Sequence, residues 1–126
     1  MVVLRDVVSS ACATTVAPWP RAAGSVLLLE TAVNGTRFHQ ALAAIAYLRA
    51  RDTVRLNRES SNPFDDRAVE VITERGDKLG YIPRGQNRVI ASLMDEGEPT
   101  LAVVVEVDED GEFPVIFLRV FSRPKS

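Results

Sequence analysis

One cysteine and one histidine are all that the sequence holds of the side chains that most readily bind metal or form covalent links. Cys12 alone cannot close an internal disulfide, and together with His39 it falls short of the four ligands of a structural zinc site. A reducing, cytoplasmic compartment fits that scarcity. No apolar run approaches the roughly 18 residues of a membrane span. At the start of the chain, Arg5 and Asp6 interrupt the apolar stretch before it reaches the roughly 7 residues of a secretory core, which argues against export. A net charge of −2 excludes a DNA-coating protein that works through bulk positive charge. There is no internal repeat.

What remains is an ordinary soluble composition of 46% apolar and 25% charged residues in 126 positions, one domain's worth and enough to bury a core. Charge is unevenly placed. Eight acidic residues and no basic one lie from Asp95 to Glu112, which leaves twelve basic against nine acidic in residues 1–94 and allows a modest basic face there. Residues 1–25 show no sustained period and read as a flexible N-terminal segment, onto whose domain Trp19 could dock back. The folded domain is expected over 26–123.

Periodicity predicts a first strand from Val26 to Val33, punctuated by Asn34-Gly35. Phe38, Leu42 and Ile45 then stand at helical spacing, predicting a short amphipathic helix between Thr36 and Arg49. Strands follow over Thr53–Arg58, Val69–Ile72 and Leu79–Ile82, the last two joined at Arg75-Gly76-Asp77. Val89, Ile90, Leu93 and Met94 form the stripe of a second helix closed by Gly97. Two final strands, Leu101–Val107 and Val115–Phe121, flank an acidic turn. The order β-α-β-β-β-α-β-β has no crossover long enough for a parallel sheet. It predicts a mostly β fold, a small six-stranded OB-like barrel with two short helices, since closure removes exposed edges.

Between the second and third strands lies Asn62-Pro63-Phe64-Asp65, an amide, a rigid ring, an aromatic and a carboxylate on a loop, where binding groups usually sit. Arg55, Arg58 and Arg67 surround it, and Arg84 follows Tyr81 by three residues. This is the pattern of a nucleic-acid-binding module. Aromatic faces such as Phe38, Phe64 and Phe113 stack bases without demanding sequence. Guanidinium forks at Arg37, Arg58 and Arg84 suit phosphate. A carboxylate repels a polyanion unless it meets a hydroxyl, so Asp65 would select a free 3′-hydroxyl end. Alternatively, Phe64 belongs to the core with Asn62 and Asp65 merely capping a turn, and Tyr81 buries its ring in a plain barrel strand.

Leu56-Asn57-Arg58-Glu59, Asn62-Pro63-Phe64-Asp65-Asp66-Arg67-Ala68-Val69 and Leu79-Gly80-Tyr81-Ile82-Pro83-Arg84 together resemble the HIRAN domain, found at the N-terminal end of helicase-like transcription factor and related chromatin remodellers. The resemblance runs from about residue 26 to 121, through Asn34-Gly35-Thr36-Arg37-Phe38-His39. It implies an OB-like barrel that captures single-stranded DNA by a free 3′-hydroxyl, with no cofactor and no catalysis of its own. Asp65 matches the family carboxylate that meets the hydroxyl, and Phe64 an aromatic on the terminal nucleotide. Arg37 and Phe38 match an arginine and a tyrosine, so the phenol is absent here. Asn62 lies in the first motif, Tyr81 and Arg84 fall at further contact positions, and Phe113 supplies another stacking ring. Members are often fused to helicase, RING or nuclease-like modules, for which this chain has no room. A standalone domain working in DNA repair or processing, with a helicase or nuclease in trans, is the implied role.

Two other classes stay open on the sequence. A peptide-binding barrel would use the same aromatics beside an edge strand. A hydrolase would gather a divalent ion with Asp65, Asp66 and Glu70, although extended neighbours such as Asp65 and Asp66 point apart.

Overall fold

The computed structural model describes residues 25–122. The expectations for the N-terminal segment, Trp19 included, and for the last four residues lie outside the described residues, Ser25 apart. Six strands appear in the expected order. They are β1 (Val26–Ala32), β2 (Thr53–Glu59), β3 (Ala68–Thr73), β4 (Lys78–Tyr81), β5 (Thr100–Asp108) and β6 (Val115–Ser122). Helix α1 (Ala41–Ala44) precedes β2, and α2 (Arg88–Asp95) precedes β5. All strand pairs are antiparallel, in one sheet of order β1-β6-β5-β2-β3-β4 that curls into an OB-like half-barrel.

Alternation decides which way each strand faces. Val54 pairs with Thr73 and Leu56 with Val71 across β2 and β3, so Val54, Val69 and Val71 turn inward while Arg55 and Asn57 face solvent. In β6 the inward set is Ile116, Leu118 and Val120. Ala102, Val103 and Val104 are buried in succession, as a strand covered on both faces requires. The β3–β4 hairpin turns at Gly76, whose φ of 95° an L side chain rarely adopts.

The two edges of the curled sheet meet beside the loop that carries the candidate site. Beyond β1, the Asn34 N–H donates to the Tyr81 carbonyl at 2.7 Å and the Tyr81 N–H donates to the Asn34 carbonyl at 2.9 Å. Gln40 extends this seam, its N–H reaching the Lys78 carbonyl at 2.8 Å and its Oε1 accepting from the Lys78 N–H at 2.7 Å. The close approach depends on Gly80. A Cβ there would stand 2.3 Å from the Asn34 carbonyl oxygen and 2.9 Å from Val33 Cγ1.

The first helix departs from expectation in length and in phase. His39, in extended conformation (φ −131°, ψ −154°), breaks the segment, leaving a separate 3-10 turn over Thr36–Phe38 before the four-residue α1. The buried side is Ala41, Ala44 and Leu48, whereas Phe38 is 75% exposed and Leu42 55% exposed. Methyl-sized side chains let this segment lie close to the sheet, and the larger ones are turned out. In α2, Ile90 and Ala91 are buried and Met94 packs on the core, but Val89 is 58% exposed. Its C-terminus matches the reading. Gly97 (φ 82°) donates to the Met94 carbonyl at 3.0 Å and Glu98 to that of Leu93 at 2.9 Å, a Schellman closure.

Candidate nucleic-acid interface

The loop after β2 is built by its own asparagine. Asn62 Oδ1 accepts the N–H of Phe64 at 2.8 Å and of Asp65 at 3.1 Å, so the side chain replaces the missing backbone acceptor of a tight turn. Capping is therefore real, but Phe64 is not core. With Asn62 holding the backbone, the ring projects into solvent and is 84% exposed. A ring of that size left outside the core is available for stacking.

Asp65 faces the other way, toward the start of α2. Its Oδ1 accepts the Arg67 N–H at 3.0 Å, and its Oδ2 accepts from Nδ2 of Asn87 at 2.8 Å. The Arg67 N–H outweighs partial burial, and with help from Asn87 and the nearby charges of Arg84 and Arg67 it holds the carboxyl below the usual aspartate range. Asp65 is thus an ionised acceptor whose neighbouring charges are cationic. Arg84 itself is exposed, on the turn Arg84–Gln86 that follows β4.

A relay of polar side chains joins this loop to the seam. Lys78 Nζ donates to the Tyr81 hydroxyl at 2.7 Å, and that hydroxyl donates to Glu59 Oε1 at 2.8 Å. The same oxygen accepts from Asn62 Nδ2 at 3.0 Å, while Glu70 pairs with Lys78 at 3.3 Å. The bond from Asn62 lowers the Glu59 carboxyl against the effect of burial, with Tyr81 and Lys78 adding to it. Burial alone would depress the Lys78 ammonium, yet its bond to Tyr81 and its pairing with Glu70 raise it. Tyr81 is only partly buried, and its phenol is committed to this network. The imidazole of His39 meets its ring edge-to-face at 5.7 Å.

Beyond the seam, Arg37 lies against two rings, its guanidinium carbon 5.2 Å from the centre of Phe38 and 5.5 Å from that of Phe113. Thr36 Oγ1 donates to the Pro114 carbonyl at 2.9 Å, which ties this turn to the β5–β6 connection. A guanidinium beside two rings keeps planar N–H donors of the kind that hold phosphate.

The HIRAN domain model matches residues 26–122. The chain belongs to the HIRAN domain family. A crystal structure of a protein from Lactobacillus plantarum is similar at 34% identity and a TM-score of 0.73, covering 80% of this chain and 97% of that one. The HIRAN domain of human HLTF in its crystal structure shares the fold at 24% identity and a TM-score of 0.63, covering 81% of this chain and 82% of that one. The NMR structure of the HLTF HIRAN domain in its DNA-bound conformation aligns at 23% identity and a TM-score of 0.54, covering 81% of each chain. No curated protein matches the sequence.

In this HIRAN domain the residues singled out from sequence form two groups. Asn62, Phe64, Asp65 and Arg84 gather about the loop after β2, Arg37 gathers with Phe38 and Phe113, and Tyr81 lies in the seam. Arg58 does not join them. Its guanidinium is bidentate on Asp95 at 3.0 and 3.2 Å and also reaches the Ala68 carbonyl, so the phosphate role read from sequence has no free fork behind it. Glu70 is likewise engaged, by Asn57 at 2.8 Å and by Lys78, away from Asp65 and Asp66. Among the described residues no three His, Cys, Asp or Glu side chains converge to hold a metal. Sequence reasoning missed Asn87, Glu59 and Lys78. Only Asn87 carried a signal, as an asparagine directly before a helical stripe.

Proposed function

We propose that this HIRAN domain binds DNA and captures a single strand by its free 3′-hydroxyl end. The observation that carries the reading is an ionised carboxylate, Asp65, with the charges of Arg67 and Arg84 beside it and the exposed ring of Phe64 next to it in sequence. A phosphate is attracted to the arginines but repelled by the carboxylate, whereas a hydroxyl can donate to it. In DNA, which lacks the 2′-hydroxyl of RNA, a strand terminus alone offers both groups at adjacent positions. Phe64 and Phe38 supply stacking surfaces, and Arg37 and Arg84 phosphate donors. The DNA-bound conformation described for the HLTF domain, which has the same fold, supports the class of ligand. The domain then marks ends for a helicase or nuclease acting in trans during DNA repair or processing, in the cytoplasm.

The test is fluorescence anisotropy with two short single strands that differ only in a 3′-hydroxyl or 3′-phosphate. A hydrogen bond to a charged group is worth about 1.5–3 kcal/mol, so the hydroxyl end should bind at least about tenfold more tightly. Asp65→Ala should abolish that preference. Equal binding of both ends would reduce Asp65 to a turn residue, and no binding to either would favour a peptide ligand. Because the Asp65 carboxyl titrates below its ordinary value, its charge is present above that value and lost only as pH falls through the lowered one. Measured against a strand ending in a 3′-deoxy sugar, which carries no titrating end group whereas a 3′-phosphate changes charge at about pH 6, the hydroxyl preference should therefore stay constant from about pH 8 to pH 5. A decline beginning near neutrality would contradict the assignment.

A further inference from the structure

Asn87 is 1% exposed, and its carbonyl accepts the Ala91 N–H at 2.8 Å as α2 begins. Its side chain makes no capping bond to the helix. The amide donates instead to Asp65 Oδ2 at 2.8 Å, across 22 residues of sequence. A buried amide is costly unless its donors are matched, so placing one here has a consequence for its partner. With Arg67 on Oδ1 and Asn87 on Oδ2, each carboxylate oxygen receives one N–H, and the group cannot turn about its last bond without losing one of them.

We propose that Asn87 is the positioning residue of end recognition: its amide fixes the plane of the Asp65 carboxylate and keeps that group an acceptor, so that the remaining lone pairs meet an incoming 3′-hydroxyl. The inference rests on the end-capture reading and assigns it a specificity-determining residue. Asn87 touches the carboxylate and not the DNA. The charged groups facing Asp65 are Arg67 on its own loop and Arg84 on the turn after β4, both cationic. A carboxyl introduced at position 87 is thus the acidic group that alters the balance.

Asn87→Asp keeps the shape and exchanges a permanent donor for a titrating one. Two carboxyls at hydrogen-bond distance share a proton and cannot both ionise easily. Near pH 5 the shared proton does the work of the amide, and the 3′-hydroxyl preference should match that of the unaltered protein. By pH 8 the proton is gone, the carboxylates repel, and the preference for the 3′-hydroxyl over a 3′-deoxy end, which carries no charge of its own, should fall by about tenfold, the size of a single charged hydrogen bond. The unaltered protein should show no such slope. Combining Asp65→Asn with Asn87→Asp reverses donor and acceptor within the pair. That variant should show no end preference at any pH, because the carboxylate has moved to the 1% exposed position 87, and it should melt below the unaltered protein, since a buried carboxylate with a single amide donor is costly. Asn87→Ala should bind the 3′-phosphate strand within about twofold of the unaltered protein, since the stacking and phosphate groups remain, while losing most of its preference for the hydroxyl.

The closing experiment measures anisotropy against 3′-hydroxyl and 3′-deoxy strands from pH 5 to 8, and against the 3′-phosphate strand at pH 8, together with NMR titration of the Asp65 carboxyl carbon without DNA. A flat profile in Asn87→Asp, or full preference in Asn87→Ala, would overturn the inference while leaving end capture intact. Should the unaltered protein show no preference, end capture fails. The carboxyl titration still decides the Asn87–Asp65 pairing: an upward shift in both single variants supports it, and an unchanged midpoint refutes it. The isosteric Asn87→Asp carries the test if the alanine variant unfolds early.

Discussion

Replacing Gly80 with alanine should lower the thermal unfolding midpoint by roughly 10–20 °C, the largest stability effect expected of a single methyl group in this protein. The added Cβ would sit 2.3 Å from the Asn34 carbonyl oxygen, a backbone atom that cannot swing away as a side-chain tip can. To make room, the seam must part. That forfeits the reciprocal bonds between Asn34 and Tyr81, about 1 kcal/mol each, and it leaves alanine at a φ of 151°, strained by about 1–3 kcal/mol. Circular dichroism melting measures the sum. Gly85→Ala is the control, because nothing lies within 4 Å of where its methyl group would stand and its φ is unexceptional. Midpoints that agree within about 2 °C for the two variants would show that the seam yields without cost.

Phe64→Ala should act on binding alone. Loss of one stacking platform removes about 1–3 kcal/mol, so single-strand affinity should fall roughly fivefold to a hundredfold for either end chemistry. The melting midpoint should hold, because a ring that is 84% exposed contributes little buried area. Anisotropy and calorimetry on the same sample separate the two quantities. A lower midpoint with unchanged affinity would place the ring in a structural role and remove it from the interface. The pattern should differ from that of Asp65→Ala, which removes discrimination between ends more than affinity for the strand.

Strands were legible because alternation is a local property. Val54 and Leu56 against Arg55 and Asn57 reveal the inward face of β2 with no knowledge of its neighbours. Helix phase was not legible. Reading Phe38 and Leu42 as the buried stripe equates size with burial, whereas the turn of helix nearest the sheet buries Ala41 and Ala44 and turns Phe38 and Leu42 out. Only the curvature of the sheet, a non-local property, sets that phase. The site divides along the same line. Asn62 caps a turn two and three residues ahead, a contact visible in sequence. Asp65 with Asn87 and Glu59 with Tyr81 are each 22 residues apart, and polar pairs at that separation have no period to betray them. Arg58 shows the converse hazard, since a basic residue beside a binding motif pairs with Asp95, 37 residues on.

The seam also has a kinetic meaning. Arg37 and Phe38 follow Asn34 along the chain, while Phe64, Asp65 and Arg84 stand on the side of Tyr81. If a strand binds both groups, as proposed, it would act as a clasp across the joint, and release and edge opening would be linked steps of one equilibrium. Occupancy should slow hydrogen exchange at the Asn34 and Tyr81 amides in proportion to affinity, and any change that loosens the joint should shorten the time a strand stays bound. On the proposed end capture, Gly80→Ala should therefore also shorten the residence time of a bound strand.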